Sequence, residues 1–424
     1  MALGPQQRPA FGEAISPAAG ETRTSRTAQQ MVERVAELRS VHAAFAWFRA
    51  HARELEDLQL EVTAIPAPPW GEGARSHWLK ARFEGLGSSD VHQDELGNVF
   101  GIRTGSDAKA PFFALSAHLD TVFPAETEIT VLREGSKLYG PGISDNGSGI
   151  TALLAIAGAL RDSGIANTAP ILFIGNVGEE GEGNLRGMRH IFQQAKWLDS
   201  IGALVVLDGA GTDTIIAEGL GSRRYEITVH GPGGHSWSDF GIANPIVALA
   251  RVIDRFSQTT VPSAPKTTFN IGIVQGGTSV NSIPQSATMR VDTRSASVEQ
   301  LDRLERALRD AVKEGITGRK KQDTLTADVR VIGDRPAADL PSDAHLLKVV
   351  RAVDAQLNNG SHVQRASTDA NIPRSLGREA IAIGAGGSGG GAHTVNEWYD
   401  PAGRDVGLKR ILLLTLAMCG VSEE

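Results

Sequence analysis

At 424 residues the chain exceeds the roughly 250–300 at which one hydrophobic core stops growing, so two domains are expected. Its 41% hydrophobic and 21% charged residues are those of a soluble globular protein. A net charge of −7 argues against non-specific nucleic-acid binding, and no run approaches the roughly 18 apolar residues that span a bilayer.

Residues 1–27, rich in Pro, Ala, Gly, Gln and Thr without periodicity, read as a loose tail. No basic segment there leads into an apolar one, so no secretory signal is expected and the cytoplasm is the default location. From 28 to 60, apolar side chains at Met31, Val35, Leu38, Val41, Phe45 and Phe48 recur at helical spacing and predict two helices parted near Val41. A proline-rich turn at 65–70 follows. Helices are then predicted at 76–86, 149–161 and 185–194, and strands at 98–103, 112–117, 171–177 and 203–207. Apolar strands alternating with helices indicate an α/β layer with a largely parallel sheet.

The pattern changes at 223–230, an alternating strand. A helix at 245–256, strands at 268–274 and 286–292, a helix at 298–313 and a strand at 325–331 follow it. That β-α-β-β-α-β order is ferredoxin-like. A helix at 346–358, a strand at 380–384 and a last helix at 405–419 resume the first pattern. The fold class is therefore α/β, a catalytic domain with a mostly parallel central sheet flanked by helices, plus an inserted ferredoxin-like α+β lid. The boundaries expected are 28–221 with 335–424 for the catalytic domain and 222–334 for the lid.

Chemistry-bearing residues recur where a predicted strand ends, the edge at which open α/β sheets bind ligands. His118 and Asp120 follow the strand at 112–117, and an Asp two residues on can orient a ligating imidazole. Asp145 stands among Gly140, Gly142, Gly147 and Gly149; it either bridges two cations or caps the helix behind it. Glu179 and Glu180 follow the strand at 171–177. One can ligate metal while the other stays free to take a proton from water; a solvated acidic loop is the alternative. Asp208 closes the strand at 203–207. His393 ends a glycine run from Gly384 that lacks the Lys-Ser/Thr of a phosphate loop and better suits close backbone approach to a ligand. A lone Cys419 excludes a thiolate metal cluster, so the donors are imidazole and carboxylate, suited to zinc and also to manganese or cobalt.

In this order the motifs resemble the dinuclear zinc superfamily of glutamate carboxypeptidase, the aminoacylases, succinyl-diaminopimelate desuccinylase and peptidase T. The wording is nearest the peptidase T-like branch: Gly-Glu-Glu-Gly-Glu-Gly-Asn-Leu-Arg-Gly from Gly178, Ser367-Thr368-Asp369-Ala370-Asn371, and His393-Thr394-Val395-Asn396-Glu397-Trp398. The resemblance implies that Asp145 bridges two metals, completed by His118 and Asp208 on one side and Glu180 and His393 on the other. It makes Asp120 the orienter of His118 and Glu179 the general base, and it places a cis peptide after Asp145. His235, in Gly231-Pro232-Gly233-Gly234-His235-Ser236, would stabilise the oxyanion, reaching in from the partner subunit of a homodimer built through the lid. Asn281 and Arg294 would hold a substrate carboxylate or oxyanion; a loop role for His235 and a surface ion pair for Arg294 are the alternatives. Asn146 departs from the commoner Asp or Lys after the bridging residue, which weakens any transfer of substrate preference from aminoacylases.

The expected function is a metal-dependent exopeptidase acting on small peptides, a di- or tripeptidase or aminopeptidase, with no nucleic-acid or membrane partner. An N-acyl-amino-acid amidohydrolase or a carboxypeptidase is the alternative, and a non-catalytic binding protein on the same scaffold a remote one.

Overall fold

The structure is a computed structural model describing residues 19–317 and 325–421. Of the expected tail, residues 1–18 lie outside the described residues, but 19–27 are not loose. They open the helix Ala19–Ala36, which has neither proline nor glycine after Gly20. Ala28, Val32 and Val35 form a buried stripe on the second half of that helix. Residues 28–60 fall in three helices, not two: the end of Ala19–Ala36, then Arg39–Ala50 and Ala52–Thr63, which part at His51. The expected break at Val41 is instead a buried helical position; the chain turns earlier, at an extended Leu38.

The central sheet has eight strands in the order Ser89–Gln93, Val99–Arg103, Ile171–Asn176, Phe112–His118, Ile201–Leu207, Glu379–Ile383, Thr214–Gly219 and His362–Ala366. The four from Ile171–Asn176 to Glu379–Ile383 run parallel to one another. Their sequences are nearly continuous in Ile, Leu, Val, Phe and Ala because both faces are covered. Helices Gly147–Asp162, His345–Gln356 and Arg404–Cys419 share the core on one face, and Leu185, Met188, Ile191, Phe192 and Trp197 pack on the other. Strands Thr214–Gly219 and His362–Ala366, which pair in parallel at one edge, were not foreseen from the sequence. Nor was a separate antiparallel sheet of Leu132–Glu134, Lys137–Tyr139, Trp398–Asp400 and Ser388–Gly390.

The lid matches the ferredoxin-like expectation. Strands Thr267–Gly276, Ser286–Ser295, Gly221–His230 and Thr326–Arg335 lie in that spatial order, all antiparallel. Helices Pro245–Ser257 and Val298–Gly315 bury one face against Tyr225, Ile227, Val229, Met289 and Val291. Asn244 caps the first helix, accepting from the Ile246 N–H at 2.9 Å with Pro245 at the first helical position.

Two helices of the returning segment are tied to each other by a buried ion pair. Arg410 donates to both carboxylate oxygens of Asp354, at 2.6 and 2.9 Å, joining Arg404–Cys419 to His345–Gln356. Removing one partner strands the other charge in the core. Asp354→Ala should therefore cost about 3–5 kcal/mol, measured as a lowered urea midpoint; an unchanged midpoint would refute the assignment.

Candidate metal centre

Parallel strands end on a common edge, and this edge carries the clustered chemistry. Strand Phe112–His118 delivers His118; Ile171–Asn176 leads to Glu179 and Glu180; Ile201–Leu207 leads to Asp208; Glu379–Ile383 leads to the glycine run before His393. Asp145 comes from the loop ahead of helix Gly147–Asp162, in the middle of the group.

The Asp145 carboxylate faces two imidazoles. Its Oδ1 lies 3.0 Å from His118 Nε2, and its Oδ2 lies 3.2 Å from His393 Nε2. Asp208 Oδ1 is 3.7 Å from His118 Nε2, while Glu180 Oε1 is 3.1 Å from His393 Nε2. Two triads result, His118–Asp145–Asp208 and Asp145–Glu180–His393, each with ligand atoms within 4.8 Å of one another. A third grouping of the same reach is His118–Glu179–Glu180.

The loop bearing Asp145 is held from outside the cluster. The buried Glu397 carboxylate accepts the N–H groups of Gly142, Ser144 and Asp145 at 2.9, 2.9 and 2.7 Å. The Asp145–Asn146 peptide is cis, as the resemblance implies. The Asn146 side chain accepts from the Gly149 and Gly209 N–H groups and donates to the Leu207 carbonyl, so it is Asn146 that caps the helix. Asp145 is left free to point into the cluster. Asp120 works on two sides: its backbone carbonyl is 3.1 Å from His118 Nδ1, and its carboxylate accepts the N–H groups of Glu179 and Glu180 at 2.9 and 2.7 Å. The Asp120 carboxylate itself stands 3.6 Å from His118 Nδ1.

Three residues here were not singled out from the sequence. Arg335 Nη1 donates to Glu179 Oε1 at 3.0 Å. Asp369, fully buried, accepts from Asn176 Nδ2 at 2.5 Å. Glu397 is the third. Asp369 and Glu397 sit in quoted motifs, four residues past His393 in the case of Glu397, but their partners lie far away in sequence. Arg335 has no local signal at all.

Crowded carboxyls resist ionising together. Burial pushes Glu179 up to about 7, against the opposing pull of Arg335. Burial and the neighbouring Glu179 push Glu180 up to about 8. Burial, then Glu179, lifts Asp369 well above the usual carboxylate range. Burial disfavours the imidazolium of His118, but Asp120, Asp145 and Asp208 outweigh it and raise its pKa well above normal. The Asp145 hydrogen bond, with Glu180 behind it, raises His393 to about 9. Surplus negative charge with oxygen and imidazole donors fits hard or borderline divalent cations, and each triad offers three protein ligands, the number that leaves a catalytic position open. Among the described residues the only cysteine, Cys419, is buried in the apolar core and away from this donor set.

A cavity of about 550 Å³ opens beside Asp145 and Asp208, walled by residues 208–213, Gly387, Ser388, Gly389 and Gly390. Glycine is required at Gly387, where φ is +67° and a Cβ would stand 2.6 Å from the Asp400 carbonyl oxygen. The remaining expected residues are elsewhere. His235 and Asn281 are neighbours at an exposed corner of the lid, where Gly234–His235 pairs with Ser282–Ile283 and the Ser236 N–H donates to the Asn281 carbonyl at 3.0 Å. Arg294, also exposed, donates through Nε to Asp292 Oδ2 at 2.8 Å. Among the described residues no hydrogen bond or ion pair joins these three to the cluster.

The family model described as Peptidase family M20/M25/M40 matches residues 114–416. Carboxypeptidase G2 of Pseudomonas sp. (strain RS-16) is 26% identical over 278 residues, 63% of this chain and 64% of that protein. The match thus spans less than two thirds of that relative. Acetylornithine deacetylase of Myxococcus xanthus is 26% identical over 331 residues, 73% of this chain and 83% of that one. Among solved structures, a tripeptidase from Staphylococcus aureus superposes with a TM-score of 0.70 at 20% identity, covering 86% of this chain and 98% of that chain. Aminopeptidase PepT from Bacillus cereus gives 0.68 at 18% identity, covering 86% and 97%. A dinuclear metal-binding M20 peptidase from Bacillus subtilis gives 0.63 at 16% identity, covering 88% and 100%. At these identities the structural likeness concerns the fold.

Ligating side chains must shed their protons, so metal binding competes with them. Raised pKa values mean that Glu180 and His393 stay protonated below about 8 and about 9. Apparent affinity for zinc or manganese should therefore fall as the pH drops from about 9 towards 6, with protons released on binding. Calorimetric titration in buffers of different ionisation heat measures both. Affinity independent of pH, with no proton release, would contradict the reading.

Proposed function

The chain belongs to peptidase family M20/M25/M40, and from that premise we propose that it is a two-metal exopeptidase acting on small peptides, a di- or tripeptidase with aminopeptidase-like direction. The observation that carries the proposal is the two-faced Asp145 carboxylate, with an imidazole 3.0 Å from one oxygen and another 3.2 Å from the other. His118 and Asp208 would hold one cation and Glu180 and His393 the second, with Asp145 between them; zinc is the first choice, manganese or cobalt the others. Bound there, the cations would supply Lewis acidity, polarising the scissile carbonyl and making a water easy to deprotonate near neutral pH.

The chain's own groups do the rest. Glu179 takes the proton of the attacking water and delivers it to the departing amine nitrogen. Asp120 fixes the backbone of both glutamates and, through its carbonyl, the His118 ring. His235 accepts the Trp237 N–H at Nδ1, 3.1 Å away, which leaves the neutral ring's proton on Nε2. That N–H is then available to donate to a developing oxyanion. Asn281 and Arg294 hold the substrate's carboxylate or oxyanion, Arg294 through the guanidinium nitrogens beyond its Nε contact with Asp292. Lid closure would shield the reaction from water.

The cavity beside Asp145 and Asp208 favours the amino-terminal direction. Its walls include Asp213, Thr212 and Ser388 but no Lys, Arg or His, so it suits a peptide's ammonium group better than its carboxylate. The second reading, a carboxypeptidase or N-acyl-amino-acid amidohydrolase, is favoured by the names of relatives such as carboxypeptidase G2 and acetylornithine deacetylase. No helix of the described residues is long and apolar enough to cross a membrane.

A homodimer through the lid is part of the same proposal. The edge strand Thr267–Gly276 leaves Ile273 and Val274 exposed, and Trp237, Phe240, Val247 and Val280 are exposed on the same domain. An open, apolar sheet edge is a pairing surface. Val274→Lys should convert a dimer to monomer in sedimentation equilibrium; a wild-type monomer would exclude the assembly.

Glu179→Gln should retain two metals by elemental analysis yet lose about 10²-fold or more in kcat. A near-normal rate would remove Glu179 from the mechanism. A panel of di- and tripeptides with free and acetylated N-termini, assayed with zinc, manganese or cobalt, decides direction. Preferred cleavage of the acetylated members would favour the amidohydrolase reading instead.

A further inference from the structure

We propose that Arg335 is a positioning residue that aims the Glu179 carboxylate and ties it to the seating of the lid. This inference rests on the reading of Glu179 as the base. Arg335 is the last residue of the lid strand Thr326–Arg335, at the point where the chain re-enters the larger unit. Its guanidinium is buried, with Nη1 3.0 Å from Glu179 Oε1 and 3.4 Å from Ser367 Oγ, and Nη2 donating to the Glu179 backbone carbonyl. Side chain and main chain of one glutamate are thus gripped by one planar fork, which restricts where the carboxylate can point. Nε has no hydrogen-bond partner, so the described contacts of this buried cation are with Glu179 and Ser367.

The grip is part of a wider one. Arg224 Nη1 donates to the Gly181 carbonyl at 2.7 Å, Arg290 reaches Glu182 at 3.1 Å, and the Asp334 N–H donates to Asn184 Oδ1 at 3.0 Å. All of these donors stand on lid strands, and together with Arg335 they hold residues 179–184. The same loop is tied to the larger unit by Asp120, through the N–H groups of Glu179 and Glu180. Asp145, by contrast, is fixed by Glu397, and His118 by the Asp120 carbonyl. Glu179 is therefore the member of the cluster whose carboxylate is bonded directly to the lid. Turning the lid about its roots would move the base relative to Asp145 and Asp208 while leaving those two in place. The carboxylate is correctly aimed only when the lid strand is seated.

The experiment compares Arg335→Ala and Arg335→Lys, each alone and combined with Glu179→Gln, in protein whose two-metal content has been measured. Misaiming a catalytic group by about 1 Å costs on the order of 10²-fold, so Arg335→Ala should lower kcat by about that factor with KM changed by less than about threefold. Arg335→Lys, which keeps the charge but loses the fork, should recover part of the rate, as should added guanidinium with Arg335→Ala. In the Glu179→Gln background Arg335→Ala should cost no further activity, because the group it aims is gone. Normal kcat in folded, metal-loaded Arg335→Ala, an effect confined to KM, or a loss that adds to that of Glu179→Gln would overturn the positioning role. Should Arg335→Ala fail to fold, Arg335→Lys carries the same comparison. A fully active Glu179→Gln overturns the base assignment beneath it, a distinct outcome from an inactive Glu179→Gln beside a normal Arg335→Ala.

Discussion

Asp145 has to face in two directions at once, and much of the surrounding structure serves that demand. A carboxylate presenting one oxygen to His118 and the other to His393 has little freedom left to find its own hydrogen-bond partners. Its backbone is therefore held by something else, and Glu397 does this by accepting three N–H groups of the same loop, from Gly142, Ser144 and Asp145. Asn146 takes over the capping of the following helix. The roles are divided: the neighbour caps, the distant glutamate anchors, and Asp145 is available to the centre of the cluster.

Assembling so many carboxyls in one place opposes folding unless protons, imidazoles or metal ions offset the charge. The raised pKa values of Glu179, Glu180 and Asp369 express that opposition, and the raised values of the two histidines express the compensation. A scaffold able to bear this must be rigid. The four parallel strands are covered by apolar packing on both faces, so their ends are fixed before any side chain in the cluster is considered. Polar strand ends on an apolar, two-sided sheet are where an α/β fold can collect charge with least disturbance to its core.

The lid contributes differently. Its helices and sheet form a separate apolar core. Its polar strand face meets residues 179–184, through Arg224, Arg290, Asp334 and Arg335. The corner bearing His235 and Asn281 is exposed, and the edge strand Thr267–Gly276 pairs on one side only.

The periodicities of single elements were legible without coordinates. Continuous apolar runs such as 171–177 and 203–207 mark strands buried on both faces, and the alternation at 223–230 marks a lid strand with one polar face. Chemically unusual residues at the ends of those runs, His118, Glu179, Glu180 and Asp208, could be picked out because polar groups directly after apolar strands have few other reasons to be there. The helix break at Leu38 was not legible, since no proline or glycine marks it and packing alone sets it. The edge strands Thr214–Gly219 and His362–Ala366 were missed because they are only half buried and half-polar, without the continuous apolar run of the central strands. Arg335 and Glu397 could not be read locally either, because their partners lie 156 and 252 residues away. Local sequence determines the period and polarity of each segment through short-range sterics and burial. Which distant side chains meet, and hence what grips Glu179 and steadies Asp145, is decided only when the sheet order brings those segments together.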